Sequence, residues 1–314
     1  MILIISKPDD AHTVTIEKRI QQLEPDLPVV VLDTSLFPEK MTLQAHYGNG
    51  KSEYIFKYAG KTFSSSDIRS VWYRRPQRPT IPTSVTDEDT RSFIERESNF
   101  VVDGIWRSLN CFWVNDPVLN ARANYKIYQL QIAQNFDFRI PNTIVSNDAE
   151  AVRTFWETNH RKIIYKQVRG ISTRSVKTSL VTEKELGFLD SLQISPVIFQ
   201  EYIPAQYDLR ITVMGKKIFS AKIHSQKSDS KLDWRFDHAR LLEPYTLPQE
   251  IEQKIRQYID FLGLVYGAID MRVTPEGEYV FFEINPSGQF VFVEILTELP
   301  LSEEFAKLLI RGHV

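Results

Sequence analysis

The chain opens with an unbroken apolar block, Ile2 to Ile5. A stretch of helical spacing follows from about His12 to Leu23, and then a second apolar block, Val29 to Leu32. Strand, helix and strand in that order predict a βαβ unit with parallel strands. Tyr54 to Phe63 reads as a hairpin turning at Ala59-Gly60, and Val71 to Arg74 as a further short strand. A long helix is expected from Asp87 to Leu109, with Thr86 and Asp89 at capping-box spacing, although Asp stands where Glu or Gln is usual. Phe93, Phe100, Val101, Ile105 and Leu109 mark its expected buried stripe.

Further along, Asn120 is expected to cap a helix that runs to about Asn135. Strands are predicted at Ile140 to Val145 and Lys162 to Val168, and helices at Asp148 to Thr158 and Thr182 to Leu192. Strands then recur at Val197 to Gln200, Leu209 to Val213 and Ile218 to Ile223. Pro248 to Leu262 is a helix by its Ile251, Ile255, Ile259 and Leu262 face, with Pro at its start and Gly263 just past its end. A hairpin spans Val265 to Ile284, and a last helix covers Ser302 to Arg311. The pattern divides into residues 1–114, 115–195 and 196–314, an α/β chain of α+β lobes. No Pro/Gly/Ser linker separates the lobes, so they are expected to pack together.

Composition adds mainly exclusions. Of 314 residues, 38 are basic and 40 acidic, a net charge of −2 that gives no footprint for nucleic acid. No apolar run is long enough to span a membrane, and the first five apolar residues read as a strand rather than a signal peptide. Cys111 is the single cysteine, so no internal disulfide can form. A reducing, cytoplasmic setting is the expectation. Its Leu-Asn-Cys-Phe-Trp-Val surroundings suit a small buried hydrophobe better than a catalytic thiol.

The hairpin carries the chemistry. With Thr274 to Gly277 as a four-residue loop, Val273 faces Glu278, Asp270 pairs with Phe281, and Ala268 pairs with Glu283. One face then holds Ile269, Met271, Val273, Val280, Phe282 and Ile284. The other holds Asp270, Arg272, Tyr279, Phe281, Glu283 and Asn285. Two carboxylates and an amide oxygen gather there as diagonal neighbours. Such hard oxygen donors suit magnesium held together with phosphates. The same face also fits surface ion pairs with Arg272, and a change of one residue in loop length would separate the carboxylates.

Asp270-Met-Arg272 followed by Glu283-Ile-Asn285-Pro286 resembles the magnesium-binding end of the ATP-grasp superfamily. Other segments fall in that family's order. Asn120-Ala-Arg-Ala-Asn-Tyr-Lys126 resembles the helix whose lysine reaches the ATP phosphates, and Ile163-Ile-Tyr-Lys166 the strand bearing the second phosphate lysine. Phe199-Gln200-Glu201-Tyr202-Ile203 resembles the hinge whose backbone holds adenine, and Asp208-Leu-Arg210 the ribose and phosphate contacts that follow. Val71-Trp-Tyr-Arg74-Arg75-Pro76, Arg169-Gly-Ile-Ser-Thr-Arg174, Asp233-Trp-Arg235 and Asn285-Pro-Ser-Gly-Gln289 resemble the microviridin-type peptide cyclases, the graspetide synthetases. The resemblance implies an ATP-grasp fold with a pre-ATP-grasp domain, and ATP and Mg2+ between the central and C-terminal lobes. It implies a precursor peptide with a leader and an acidic core as partner, neither nucleic acid nor membrane, and a homodimer as the common assembly. Asp or Glu side chains of the core would be joined to Ser or Thr as esters, toward which the Arg-rich segment leans, or to Lys as amides. One departure is the single Gly170 in a phosphate loop that is glycine-rich in many relatives.

The resemblance assigns metal ligation to Asp270, Glu283 and Asn285, and nucleotide binding to Lys126, Lys166, Gln200 to Ile203 and Asp208. Lys126 also fits an exposed helix lysine. Lys166 lies on an interior strand, where an unpaired ammonium is costly and a phosphate would partner it. Arg210 alternates with Leu209 and Ile211 and is the first candidate to steady charge on the transferred phosphoryl group; Arg272 is the second. Arg74, Arg75, Arg174, Asp233 and Arg235 are substrate-binding candidates, Arg74 and Arg75 for peptide carboxylates, although their segment equally fits a solvated loop. Residues 225–240 read as a mobile loop over the site. Two rivals stay open: an ATP-grasp ligase that adds an amino acid to a protein tail or small molecule, and a non-catalytic peptide-binding scaffold.

Overall fold

The computed structural model describes residues 1–168, 177–227, 232–234 and 241–314. Its first part contains β1 (Ile2–Ile5), α1 (Ala11–Leu23), β2 (Val29–Leu32), β3 (Met41–Gly48), β4 (Lys51–Tyr58), β5 (Lys61–Ser64), β6 (Ser70–Tyr73), α2 (Glu88–Ser108) and β7 (Phe112–Val114). Strands β2-β1-β6-β7 form a parallel sheet, and β3-β4-β5 an antiparallel one. The Ile-Leu-Ile-Ile block of β1 is buried on both sides, which is why it reads as a run rather than an alternation. Leu3 and Ile5 pack toward the three-stranded sheet and α2, whereas Ile2 and Ile4 pack toward α1 and the C-terminal helix.

The middle part contains α3 (Pro117–Ala123), α4 (Lys126–Asn135), β8 (Thr143–Ser146), α5 (Ala149–Thr158), β9 (Ile163–Lys166), β10 (Ser179–Leu180), α6 (Glu183–Leu186) and β11 (Val197–Glu201). Strands β10-β9-β11-β8 form its sheet, backed by Val152 and Trp156 of α5. The last part contains β12 (Tyr207–Met214), β13 (Lys217–Ile223), β14 (Leu242–Tyr245), α7 (Gln249–Leu262), β15 (Tyr266–Val273), β16 (Tyr279–Asn285), α8 (Val291–Thr297) and α9 (Leu301–Arg311). Here the five-stranded sheet runs β14-β13-β12-β15-β16, and α4 and α7 cover one of its faces. At the end of α7, Gly263 adopts φ 66°, the left-handed C-cap that its position past Leu262 predicts. Helix α9 returns to the first lobe, where Phe305 lies within 4.8 Å of Trp72 and 5.4 Å of Tyr266 by ring centroid. The first and last parts therefore share one core.

Several expectations are corrected. Helix α2 is capped by Asp87, whose side chain accepts from Thr90 N, and not by Thr86. Its core face is Ser98, Val102, Ile105 and Trp106, whereas Phe93 and Phe100 are 59% and 83% exposed and Val101 is also exposed. Stacking of Trp106 on Phe56, with planes 4° apart, sets the helix rotation. Asn120 is no cap. Asp116 caps α3, a separate α4 begins at Lys126, and Asn120 lies buried inside α3. Strands β3, β7, β10 and β14 and helix α8 are not among the expected elements, being short or largely exposed along one side. Replacing Phe305 by Ala removes the aromatic link between the first and last parts. It is expected to cost about 3–5 kcal/mol in denaturant unfolding, and an unchanged midpoint would contradict the shared core.

Candidate functional site

The site is built on the cleft-facing side of β12, β15 and β16. The register places Asp208 opposite Arg272 and Arg210 opposite Asp270, so each acid faces a base across the same strand pair. The Arg272 guanidinium donates to both Asp208 oxygens at 2.7 and 3.1 Å, and to Ile203 O at 2.9 Å. Arg210 Nη1 donates to both Asp270 oxygens at 3.0 Å, and its Nη2 to Gln289 O at 2.9 Å. Buried charges are tolerated only with such partners.

The hairpin register differs from expectation. Thr274 N donates to Glu278 O, which makes a five-residue loop and pairs Val273 with Tyr279. That slip alone would have turned Glu283 away from Asp270. A bulge beyond Asp270 restores the match, so Asp270 pairs directly with Glu283 and Ala268 with Asn285. The cost falls on Tyr279 to Phe282. Tyr279 and Phe281 pack on the core side, Phe281 beside Tyr258 and Phe138, whereas Val280 pairs with Arg272 and Phe282 lies under its guanidinium, the reverse of the predicted faces. Gln129, buried in α4, pins this strand by accepting from Ile284 N at 3.0 Å and donating to Ile284 O at 2.8 Å.

Two hollows line the face. A cleft of about 450 Å3 contains Asp270, Glu283, Asn285, Arg210 and Arg75, walled by Trp234 and Phe292, whose rings lie 5.8 Å apart. Lys126 Nζ sits 2.8 Å from the Glu283 carboxylate that lines it, and Asn285 Nδ2 donates to Glu283 at 3.3 Å. The second hollow, about 80 Å3, contains Lys166, Gln200, Glu201, Tyr202, Ile203, Arg272 and Phe282. The structure thus gathers the predicted metal ligands, Lys126 and Arg210 at the first hollow, and Lys166 with the hinge at the second. Two paired carboxylates and an amide oxygen, already countered by cationic side chains, form a donor set that fits a hard divalent cation.

Other candidates are displaced. Asp208, expected at the ribose, is 2% exposed and lies behind Arg272, because burial demands that both its oxygens be engaged. Arg272 consequently belongs to the hinge end rather than to the phosphoryl end. Arg74, expected to meet peptide carboxylates, is 2% exposed and bonded to Asp10, Ser287 O and Gly288 O. Its neighbour Arg75 is half-exposed and lines the cleft. Asp233 is buried and accepts from Thr178 N at 3.3 Å. Arg174, Arg235 and most of residues 225–240 lie outside the described residues. Desolvation pushes the Cys111 thiol up to about 12, which removes it as a nucleophile.

The sequence reading missed Asp10, His12 and Asn115. Burial works against the Asp10 carboxylate, yet Arg74, the Thr13 N–H and Arg75 hold its pKa below the usual range. For His12, burial first and then the Arg74 guanidinium lower the pKa to about 3. Asn115 donates to Tyr266 O and Pro286 O and accepts from Val265 N and Tyr266 N, all at 2.8 Å. The signals they offer are generic: Asn115 directly follows an apolar strand, and Asp10 and His12 sit at the start of a helix.

Comparison with known proteins bears on this geometry. Residues 1–121 match the family described as the MvdD pre-ATP grasp domain. The macrocyclase MdnC of Microcystis aeruginosa MRC, solved with its precursor peptide MdnA, is 32% identical, with 98% of each chain covered and a TM-score of 0.86. The chain belongs to the ATP-grasp peptide macrocyclases. A RiPP-associated ATP-grasp ligase of Chryseobacterium gregarium, solved with ADP and a leader and core peptide, is also 32% identical. It covers 100% of this chain and 97% of its own, with a TM-score of 0.90. The alpha-aminoadipate–LysW ligase LysX of Sulfurisphaera tokodaii is 22% identical over 194 residues, 59% of this chain and 67% of that protein. This macrocyclase-family chain is an ATP-dependent ligase of ATP-grasp fold.

The depressed His12 pKa has a measurable sign. The unfolded imidazole protonates near its ordinary value of about 6.5, while the folded one stays neutral down to about 3. Its contribution is therefore complete above the unfolded pKa and is lost as pH falls through the interval below it. Between pH 7.5 and 5, wild type should lose about 2 kcal/mol more urea-unfolding stability than His12→Gln. Equal losses would contradict the assignment.

Proposed function

We propose that this ligase activates Asp or Glu side chains of a ribosomally made precursor peptide as acyl phosphates and joins them to Ser or Thr hydroxyls, or Lys amines, within the same peptide. The observation that carries this reading is the cleft beside Asp270 and Glu283, where Lys126, Arg210 and Arg75 supply positive charge from three parts of the chain. Adenine is held at Gln200 to Ile203, with Arg272 closing that end. Lys126 and Lys166 hold the phosphates. Asp270, Glu283 and Asn285 would hold Mg2+, which supplies charge neutralisation at the phosphate oxygens. Arg75 orients the peptide carboxylate. That carboxylate oxygen bonds to the γ-phosphorus as the bond to ADP breaks, and Arg210 faces the developing charge. The hydroxyl or amine then attacks the acyl carbon, and phosphate leaves with the carboxylate's former oxygen. No enzyme nucleophile is required.

The reading that the chain adds an amino acid to a protein or small molecule draws on the likeness to LysX. Full-length likeness at 32% identity to MdnC, a macrocyclase solved with its precursor peptide, favours the intramolecular reaction. The test is mass spectrometry of an acidic precursor peptide encoded beside the gene, after incubation with enzyme, ATP and magnesium. Loss of one water per link is expected with wild type and none with Glu283→Gln, which keeps the fold. A product heavier than the peptide would favour the rival, and undiminished turnover by Glu283→Gln would sink the metal assignment.

A further inference from the structure

The turn after β16 is held almost entirely by side chains. Four consecutive carbonyls each accept from a different side chain: Pro286 from Asn115, Ser287 from Arg74, Gly288 from Tyr266 and Gln289 from Arg210, at 2.8, 2.5, 2.8 and 2.9 Å. The next two amides, Phe290 N and Val291 N, both donate to one atom, His12 Nε2, at 2.9 and 3.2 Å. The turn has no room to move inward, since a Cβ on Gly288 would meet Ala268 Cβ at 2.5 Å and Arg210 Nη2 at 2.9 Å. His12 itself is buried on α1, capped by Asp10, and its ring meets Phe290 edge-on at 5.0 Å. A neutral imidazole must carry its proton on one nitrogen, and two N–H donors at Nε2 place it on Nδ1.

We propose that His12 is a positioning residue for phosphoryl transfer: its Nε2 fixes the Phe290 and Val291 amides, and thereby the adjoining Gln289 carbonyl that aims Arg210 at the terminal phosphate. This rests on the functional reading above. The pre-ATP-grasp lobe then contributes to the reaction without touching the nucleotide. Buried amides that lose their acceptor must find another, so the turn shifts when His12 is replaced by a residue without one. Because Gln289 O orients Arg210, such a shift loosens the guanidinium at the γ-phosphate end while leaving the hinge, built on β11, untouched.

The test is calorimetric titration of the full chain with ADP and with the non-hydrolysable triphosphate AMPPNP, both with magnesium, for wild type, His12→Phe and His12→Gln. Gln carries an acceptor oxygen at similar reach; Phe keeps only the ring. His12→Phe should weaken AMPPNP about tenfold, the value of one charge-assisted contact, and ADP less than about threefold. His12→Gln should return AMPPNP to within about threefold of wild type. Equal losses of both nucleotides, no loss of either, or failure of Gln to restore binding would overturn the proposal. If His12→Phe does not fold, native AMPPNP affinity in His12→Gln still supports it and weakened affinity overturns it. Wild type that binds neither nucleotide would instead overturn the functional reading on which it rests.

Discussion

Two reciprocal ion pairs across β12 and β15 set the geometry on which the site depends. Asp208 faces Arg272, and two residues on Arg210 faces Asp270. All four are mostly buried, and a buried charge without a partner is strongly destabilising. A slip of one residue in either strand would move that strand's two charged side chains to the core side, where Leu209, Ile211, Ile269 and Met271 now sit, and leave the other two without partners. The register is thus fixed twice, by apolar matching on one face and by charge matching on the other. The two pairs also divide the labour. The Arg272 pair is spent on the hinge, through Ile203 O, and the Arg210 pair on the turn after β16, through Gln289 O.

Much of this was legible in the residues. Alternation in β12 and β15 gave the cleft face, and the spacing of Asp270, Glu283 and Asn285 gave the donor set. The hairpin shows where such reading stops. Loop length and bulge both differ from expectation, and the two differences cancel at Glu283 while exchanging the faces of Tyr279 to Phe282. Apolar residues of equal type on adjacent positions carry no information about which one faces in. Helix α2 failed for a related reason: Phe93 and Phe100 match a stripe as well as Val102 and Trp106 do, and only the partner Phe56 decides between them. Arg74 and Arg75 are identical by composition, yet one is a buried strut and the other lines the cleft.

What was least legible is the part played by the first lobe. Asp10, His12, Arg74 and Asn115 lie far in sequence from the hairpin, and each makes ordinary sense as a cap or a strand-end polar residue. Only the fold brings them round the Pro286 to Val291 turn, because α9 and Phe305 return the chain to the first sheet. The first and last lobes therefore share a core, α4 of the middle lobe packs on the last lobe's sheet, and residues of all three line the cleft. The likeness to MdnC extends over 98% of both chains, first lobe included.

On the proposed reading, phosphorylation in the Arg210 cleft makes one oxygen of a peptide carboxylate part of a leaving phosphate. The most direct test labels the Asp and Glu side chains of an acidic precursor peptide with heavy oxygen and follows the label during turnover with ATP and magnesium. Activation as an acyl phosphate predicts one labelled oxygen in the inorganic phosphate released for each link formed. Unlabelled phosphate accompanying link formation would contradict it.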